Sequence, residues 1–469
     1  MDHQKEDKLI RRVAKLAKQN QNLKNKLKEL QSLSEKISRD NEKLNSLLSQ
    51  IKPGQLSGLK KEEKSQTLIF RMATVLFTDI HGFSAASKDI DSDSLLDELD
   101  EIFYEFNSIS KKLNIEKIKT IGDTFMSAGG IPVKNITNPI EVVLASLQMK
   151  SFLDEYERKV KGRSKKIWKI KFGIHTGPVI GEFSGKKKIT YDIKGDTVNT
   201  ASRIQSNGEE GKVIISVMTY ELIKEFFSCE YYGRMPVKYK GEIDLYEVKG
   251  IKPKFSRNGL GLKINKAFQI KFGLIQFSDM QEIILDKLEK ELPSYLYYHN
   301  VKHTVDVVTE VELIGWAEGV TDEEILLLKT AGLFHDAGHT ISYDEHEFHG
   351  TELAREILPK YGYSIKMIDQ ICEIIMATKL PPQPKTLLEQ IICDADLDYL
   401  GRSDFIPVSN TLFKELNEQN IIGTLNDWNK LQVKFISGHQ YFTKTARNLR
   451  EVNKQKQIER ISSLIVDED

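Results

Sequence analysis

The chain has 469 residues, room for roughly two to four folded units, and its 68 Lys plus Arg balance its 68 Asp plus Glu. That balance gives no reason to expect nucleic acid or an anionic membrane surface as a partner. No apolar run approaches the roughly 20 residues needed to span a bilayer. The charged start MDHQKEDKLIRR lacks the apolar heart of a signal peptide, so a cytoplasmic protein without membrane contact is expected. Cys229, Cys372 and Cys393 stand far apart without metal-ligand or disulfide-framework spacing and read as buried thiols.

From Leu9 to Ile51 apolar residues alternate at spacings of four and three, with Leu9, Leu16, Leu23, Leu30, Ile37, Leu44 and Ile51 on one seam. The other seam holds Val13, Asn20, Leu27, Ser34, Asn41 and Leu48. Such a heptad predicts a coiled coil over residues 1–52, and Asn at two a positions favours a parallel, in-register dimer. Pro53-Gly54 and Ser57-Gly58 end it, and 53–70 reads as a linker.

From Arg71 to Gly250, strand-like runs such as ATVLFTDI and IWKIKFGIHTG alternate with helical ones such as LLDELDEIFYEFNSISKKL, which predicts an α/β domain. Residues 251–265, around KPKFSRNGLGLK, read as a second linker, and 266–469 as an all-α domain, with periodic runs such as FSDMQEIILDKLEKEL and EEILLLKTAGLFHD.

In the α/β domain, VLFTDIHGFS ends an apolar strand in Asp79, and KIKTIGDTFM carries Asp123 in a hairpin-like turn. On neighbouring strands the two carboxylates would repel unless divalent cations shared them. Hard oxygen ligands suit magnesium, which takes the rest of its shell from water and substrate phosphates. Gly82 leaves room for phosphates to approach backbone amides. In YDIKGDTVNTASRIQS a turn leads into a helix with Val198, Ala201 and Ile204 inside and Asn199 and Arg203 four apart on one face. An amide beside a guanidinium can hold a ribose and an α-phosphate as charge builds at phosphorus, or it can be a solvated helix face.

FTDIHGFS, KIKTIGDTFM, FGIHTGPVIGEFSG and YDIKGDTVNTASR, in this order and spacing over 71–250, resemble the catalytic domain of class III nucleotidyl cyclases. The resemblance implies a ferredoxin-like fold and two Mg²⁺ or Mn²⁺ ions on Asp79 and Asp123, with the Ile80 carbonyl assisting. It further implies β- and γ-phosphate contacts at the Gly82 and Phe83 amides, and a transition-state pair in Asn199 and Arg203. The triphosphate-binding lysine falls on Lys238, with Lys240 close enough to leave the choice open. Lys119 and Asp192 take the purine-reading positions, where guanylate cyclases of the family usually carry Glu and Cys. An ammonium and a carboxylate match adenine N1 and its amino group, so ATP is the expected substrate and 3′,5′-cyclic AMP the product. The family's site is shared between two catalytic domains and this chain carries both halves, so a homodimer is expected, tied by the coiled coil.

In the all-α domain, six of the ten histidines fall between His299 and His349. YHNVKH, LFHDAGH and IICDADLDYLG resemble the HD superfamily of metal-dependent phosphohydrolases. That resemblance implies a divalent metal on His303, His335, Asp336 and Asp396, with Asp394 a rival for the last place. His299 falls where cyclic-nucleotide phosphodiesterases of the superfamily keep a general acid, and His339 and His346 are available to a second metal. Binuclear relatives often have a His pair where this chain reads MATKLPP, although Lys379 there is available to a substrate phosphate. The combined expectation is a homodimeric adenylate cyclase fused to an HD phosphohydrolase. Guanylate cyclase activity and a nucleotide-binding scaffold with a sensory HD domain are the alternatives.

Overall fold

The computed structural model describes residues 66–81, 92–160, 169–184, 190–237 and 241–466. The coiled coil expected over 1–52 lies outside the described residues.

The first module is built on one sheet. Its strands are β1 (Gln66–His81), β2 (Glu116–Ile121), β3 (Thr124–Gly129), β4 (Lys169–Ser184), β5 (Thr190–Lys194), β6 (Val213–Ser216), β7 (Phe227–Val237) and β8 (Gly241–Ile251). They lie in the order β2-β3-β1-β4-β6-β8-β7, with β5 on β4, and only β4–β6 is parallel. Helices α1 (Ser92–Lys112), α2 (Asn138–Val160), α3 (Asp196–Asn207) and α4 (Val217–Ile223) complete the module.

From Ala73 to Ile80 β1 is buried at every position but Asp79, because both its faces are covered there. Leu76 and Ile80 join Ile102, Phe106 and Val143 of α1 and α2 on one side. On the other, Val75 and Phe77 join Ile193 and Ala201 of β5 and α3. Gly173 on β4 sets the approach of α3: a Cβ there would collide with the backbone of Ala201 and Gln205. Glycine thus lets the helix carrying Asn199 and Arg203 lie directly on the strand.

The second module is helical: α5 (Lys266–Glu291), α6 (Val301–Glu318), α7 (Asp322–Phe334), α8 (His346–Ile357), α9 (Ile365–Met376), α10 (Leu387–Asp396), α11 (Phe405–Glu418), α12 (Leu425–Gly438) and α13 (Lys444–Ser462). The helix starts are written locally. Thr321 and Glu324 form a reciprocal capping box at α7, and Thr424 and Asp427 another at α12.

Between the modules, residues 251–265 fold as two short 3-10 turns, closed by an Ile251 amide to Gly261 carbonyl bond of 3.0 Å and a bridge between Ser256 and Ile264. Helix α5 then serves two cores without a break. Phe268, Phe272 and Ile275 pack with the first module, and Phe277, Met280, Ile284 and Leu288 with the second.

Candidate functional site

In the first module, the register sets Thr124 of β3 and Lys171 of β4 on either side of Asp79 at the end of β1. The Thr124 hydroxyl donates to Asp79 Oδ1 at 3.0 Å. Asp123 sits in the two-residue turn between β2 and β3 behind Gly122, whose φ of 61° suits glycine. The Ile80 amide donates to the Asp123 carbonyl at 3.1 Å and ties this turn to the end of β1. The two carboxylate-bearing segments are therefore neighbours. Beside them opens a cavity of about 410 Å³, lined by Asp79, Thr124 and Lys171 from the sheet and Ser202, Gln205 and Ser206 from α3.

Asn199 and Arg203 lie exposed on α3, whose Ala201 and Ile204 are fully buried. Lys119 on β2 and Asp192 on β5 meet at 2.7 Å, and the Ile193 amide donates to the same Asp192 oxygen at 2.9 Å. Gly82, Phe83 and Lys238 lie outside the described residues.

In the second module, Asn300 accepts from the Lys302 and His303 amides at 2.8 and 3.2 Å and starts α6, which sets His303 in the first turn. Helix α7 delivers His335 at its end, and the Gly332 carbonyl on His335 Nδ1 at 2.9 Å aims Nε2 inward. His303 Nε2 lies 3.1 Å from Asp396 Oδ1 and 3.3 Å from Asp336 Oδ2, and His335 Nε2 lies 3.2 Å from Asp336 Oδ2. Asp394, two residues before Asp396 on α10, faces elsewhere: it accepts from the Phe442 and Thr443 amides at 2.8 and 2.7 Å.

A second cluster shares Asp336. Ligand atoms of His299, Asp336 and His339 lie within 4.8 Å of one another, as do those of His303, His335 and Asp396. His346 stacks on His339 with ring centroids 3.9 Å apart, and its Nε2 lies 3.7 Å from Asp336 Oδ1. Gly338 permits this, since a Cβ there would collide with the His346 carbonyl.

Burial opposes charge throughout this centre, yet Asp336 and Asp396 raise the affinity of His303 and His335 for protons and are themselves held well below the usual carboxylate range. His339 is different. Burial pushes it down to about 3, and neither of its ring nitrogens has a hydrogen-bond partner. A neutral imidazole with both nitrogens unsatisfied, next to a carboxylate, suits a divalent cation, as does the first cluster of two imidazoles and two carboxylates. In the first module Asp79, Asp123 and the Ile80 carbonyl offer hard oxygen atoms, which suit Mg²⁺ or Mn²⁺.

Residues 67–250 match the family described as adenylate and guanylate cyclase catalytic domain, and residues 300–398 match the HD domain. Both domains stand in one chain. A human relative, guanylate cyclase soluble subunit beta-2, is 31% identical over 237 residues, which is 50% of this chain and 38% of that protein. Receptor-type guanylate cyclase gcy-8 of Caenorhabditis elegans is 35% identical over 45% of this chain and 19% of its own length. The chain thus spans well under half of these relatives. The adenylyl cyclase CyaB from P. aeruginosa is a similar solved structure, with 28% identity, 42% of this chain and 100% of that chain covered and a TM-score of 0.38. Among the described residues no helix is long and apolar enough to cross a membrane.

Two residues near these sites carry no signal in a single sequence. In the cyclase domain, Lys171 occupies an ordinary alternating strand position and faces Asp79 only through the β1–β4 register. In the HD domain, Glu415 of α11 is fully buried and accepts from the Tyr298 amide at 2.9 Å and the His299 amide at 3.2 Å, with Oε1 2.5 Å from His299 Nδ1. It lies 116 positions from His299, so only the folded chain brings the two together.

Proposed function

We propose that this chain is a homodimeric adenylate cyclase that makes 3′,5′-cyclic AMP and pyrophosphate from ATP, joined to an HD domain that hydrolyses a phosphoester. The cyclase assignment is supported by the family match, and the choice of ATP by the Lys119–Asp192 pair at the base-reading positions. The Lys119 ammonium donates to adenine N1 and the Asp192 carboxylate accepts from the 6-amino group. Guanine has the opposite polarity along that edge and would leave both charges facing groups of the wrong kind.

In this reading Asp79, Asp123 and the Ile80 carbonyl would hold two Mg²⁺ or Mn²⁺ ions, whose charge would acidify the ribose 3′-hydroxyl and offset that of the leaving pyrophosphate. Lys171 beside Asp79 adds a fixed positive charge for the triphosphate, with Lys238 and the Gly82 and Phe83 amides as further contacts. Asn199 of the opposite protomer orients the ribose, and its Arg203 neutralises charge on the α-phosphate as the new ester bond forms. Dimerisation is needed because Asp79 and Arg203 of one site come from different chains.

In the HD domain His303, His335, Asp336 and Asp396 would hold a divalent metal, and its charge would make a water more acidic. His299 donates a proton to the leaving oxygen, and the buried Glu415 holds its ring through Nδ1. Cyclic AMP made by the first domain is the simplest substrate.

Purified full-length protein supplied with ATP and GTP in competition tests the reading, with each product followed separately. Predominant cyclic AMP supports it. Predominant cyclic GMP would favour guanylate cyclase, the activity in the names of the human and C. elegans relatives, and no product would leave a nucleotide-binding scaffold.

A further inference from the structure

Two hydrogen bonds join the domains at a point neither site uses. Asp279, midway along α5, accepts the Ile136 amide with both carboxylate oxygens, at 2.9 and 3.1 Å. Ile136 belongs to the loop between β3 and α2, and from that loop a chain of buried polar groups runs into the cyclase sheet. Asn138 donates to the Asn135 carbonyl at 2.5 Å and accepts from the Thr74 hydroxyl at 2.6 Å. Thr74 lies 2.9 Å from the Thr176 hydroxyl, and Thr176 lies 3.0 Å from that of Thr219. Asn138, Thr74 and Thr219 are fully buried and Thr176 is 3% exposed. Buried polar chains of this kind hold their neighbours in one arrangement, since every broken link strands a desolvated group.

The chain ends on the strands that matter. Thr74 and Asp79 share β1, and Thr176 and Lys171 share β4. In the other direction, α5 contacts the Ala337–Thr340 turn, which carries His339 next to Asp336. Met280, Ile284, Leu288 and Ala337 pack in one core. Because α5 is one uninterrupted helix anchored in both cores, a shift at the His/Asp centre cannot be absorbed by a flexible hinge before it reaches Asp279.

We propose that Asp279 and the 135–138 loop form a coupling joint through which the state of the HD centre sets the cyclase rate. An ordered centre holds α5, and α5 holds the loop and so the strand ends bearing Asp79 and Lys171. A disordered centre loosens them. A shared helix and a hydrogen-bond chain are only a route; coupling itself is a difference in free energy, read by a double-mutant cycle.

The activity arm of the test rests on the cyclase reading, and the exchange arm does not. In the full-length chain, His303→Ala should lower the cyclase rate by about threefold or more, the size expected for coupling at this range. With Asp279→Asn present, the same change should have almost no further effect. Equal factors in both backgrounds, or no effect in either, overturn the proposal. Independently, amide hydrogen exchange is followed over residues 134–139 in Asp79→Ala protein, with and without Mn²⁺. Mn²⁺ should slow exchange there about threefold or more, and the slowing should vanish when either Asp279→Asn or His303→Ala is added. Slowing that survives Asp279→Asn, or no slowing at all, overturns the joint even if no cyclic nucleotide is ever made.

Discussion

Lys119 and Asp192 are 73 positions apart in the chain and meet at 2.7 Å, with over two-fifths of each side chain exposed. An ion pair so open contributes about 0–1 kcal/mol to stability. In the proposed reading its two charges are each the other's partner until the base edge of ATP takes both. Exchanging them for the pair usual in guanylate cyclases should therefore alter choice of substrate and leave the fold intact. Lys119→Glu with Asp192→Cys should lower the ratio of kcat/KM for ATP over GTP by about 100-fold or more, while the melting temperature stays within a few degrees. A ratio that does not move would remove both residues from base reading.

If Asp79 of one protomer works with Arg203 of the other, two dead variants should rescue each other. Asp79→Ala and Arg203→Ala homodimers should each lose nearly all activity, by about 100-fold or more. Co-expressed, half the dimers are mixed and carry one intact site of two, so activity should return to about a quarter of wild type. Mixtures as inactive as either parent would place the site within one chain.

Local pattern made much of this molecule legible. The apolar run in ATVLFTDI, the glycine before Asp123 and the HDAGH run mark a buried strand, a tight turn and a set of candidate ligands over a few residues, where sequence and space coincide. Register and long-range pairing escape such reading. Lys171 faces Asp79 because β4 pairs with β1 without a slip between Ala73 and His81, a fact no single strand encodes. Glu415 sits on an amphipathic helix with the composition of many others, and only the folding of α11 against the start of α6 brings it to His299. The stretch 251–265 lacks apolar periodicity because its order comes from backbone bonds and 3-10 turns.

The two aspartates of CDADLD can be told apart by removing each. Asp394 spends both oxygens on the Phe442 and Thr443 amides at the start of α13, whereas Asp396 faces His303 and His335. Asp396→Asn should reduce the divalent metal retained after dialysis by about tenfold or more, read by elemental analysis. Asp394→Ala should leave metal content unchanged and destabilise the HD domain by about 1–3 kcal/mol, since the buried Thr443 amide and the half-buried Phe442 amide lose their acceptor. The reverse result would exchange their roles.

Glu141 should make stability depend on pH in a direction opposite to that of most carboxylates. Only 3% exposed, it is pushed up to about 7 by burial, against the lowering effect of bonds from Asn135 and Asn114 and with a smaller upward push from Asp279. The folded state thus keeps this proton after the unfolded chain, at the ordinary value of 4.5, has lost it. Stability is fully present below pH 4.5, falls as pH rises through 7, and is constant above. Glu141→Gln should match wild type at pH 4 and exceed it by about 3 kcal/mol at pH 8, as measured by urea unfolding followed by far-UV circular dichroism. Because Asp279 contributes to the rise, Asp279→Asn should move the fall to lower pH without abolishing it. Parallel curves for wild type and Glu141→Gln would mean that the carboxylate is solvated and charged at the domain junction.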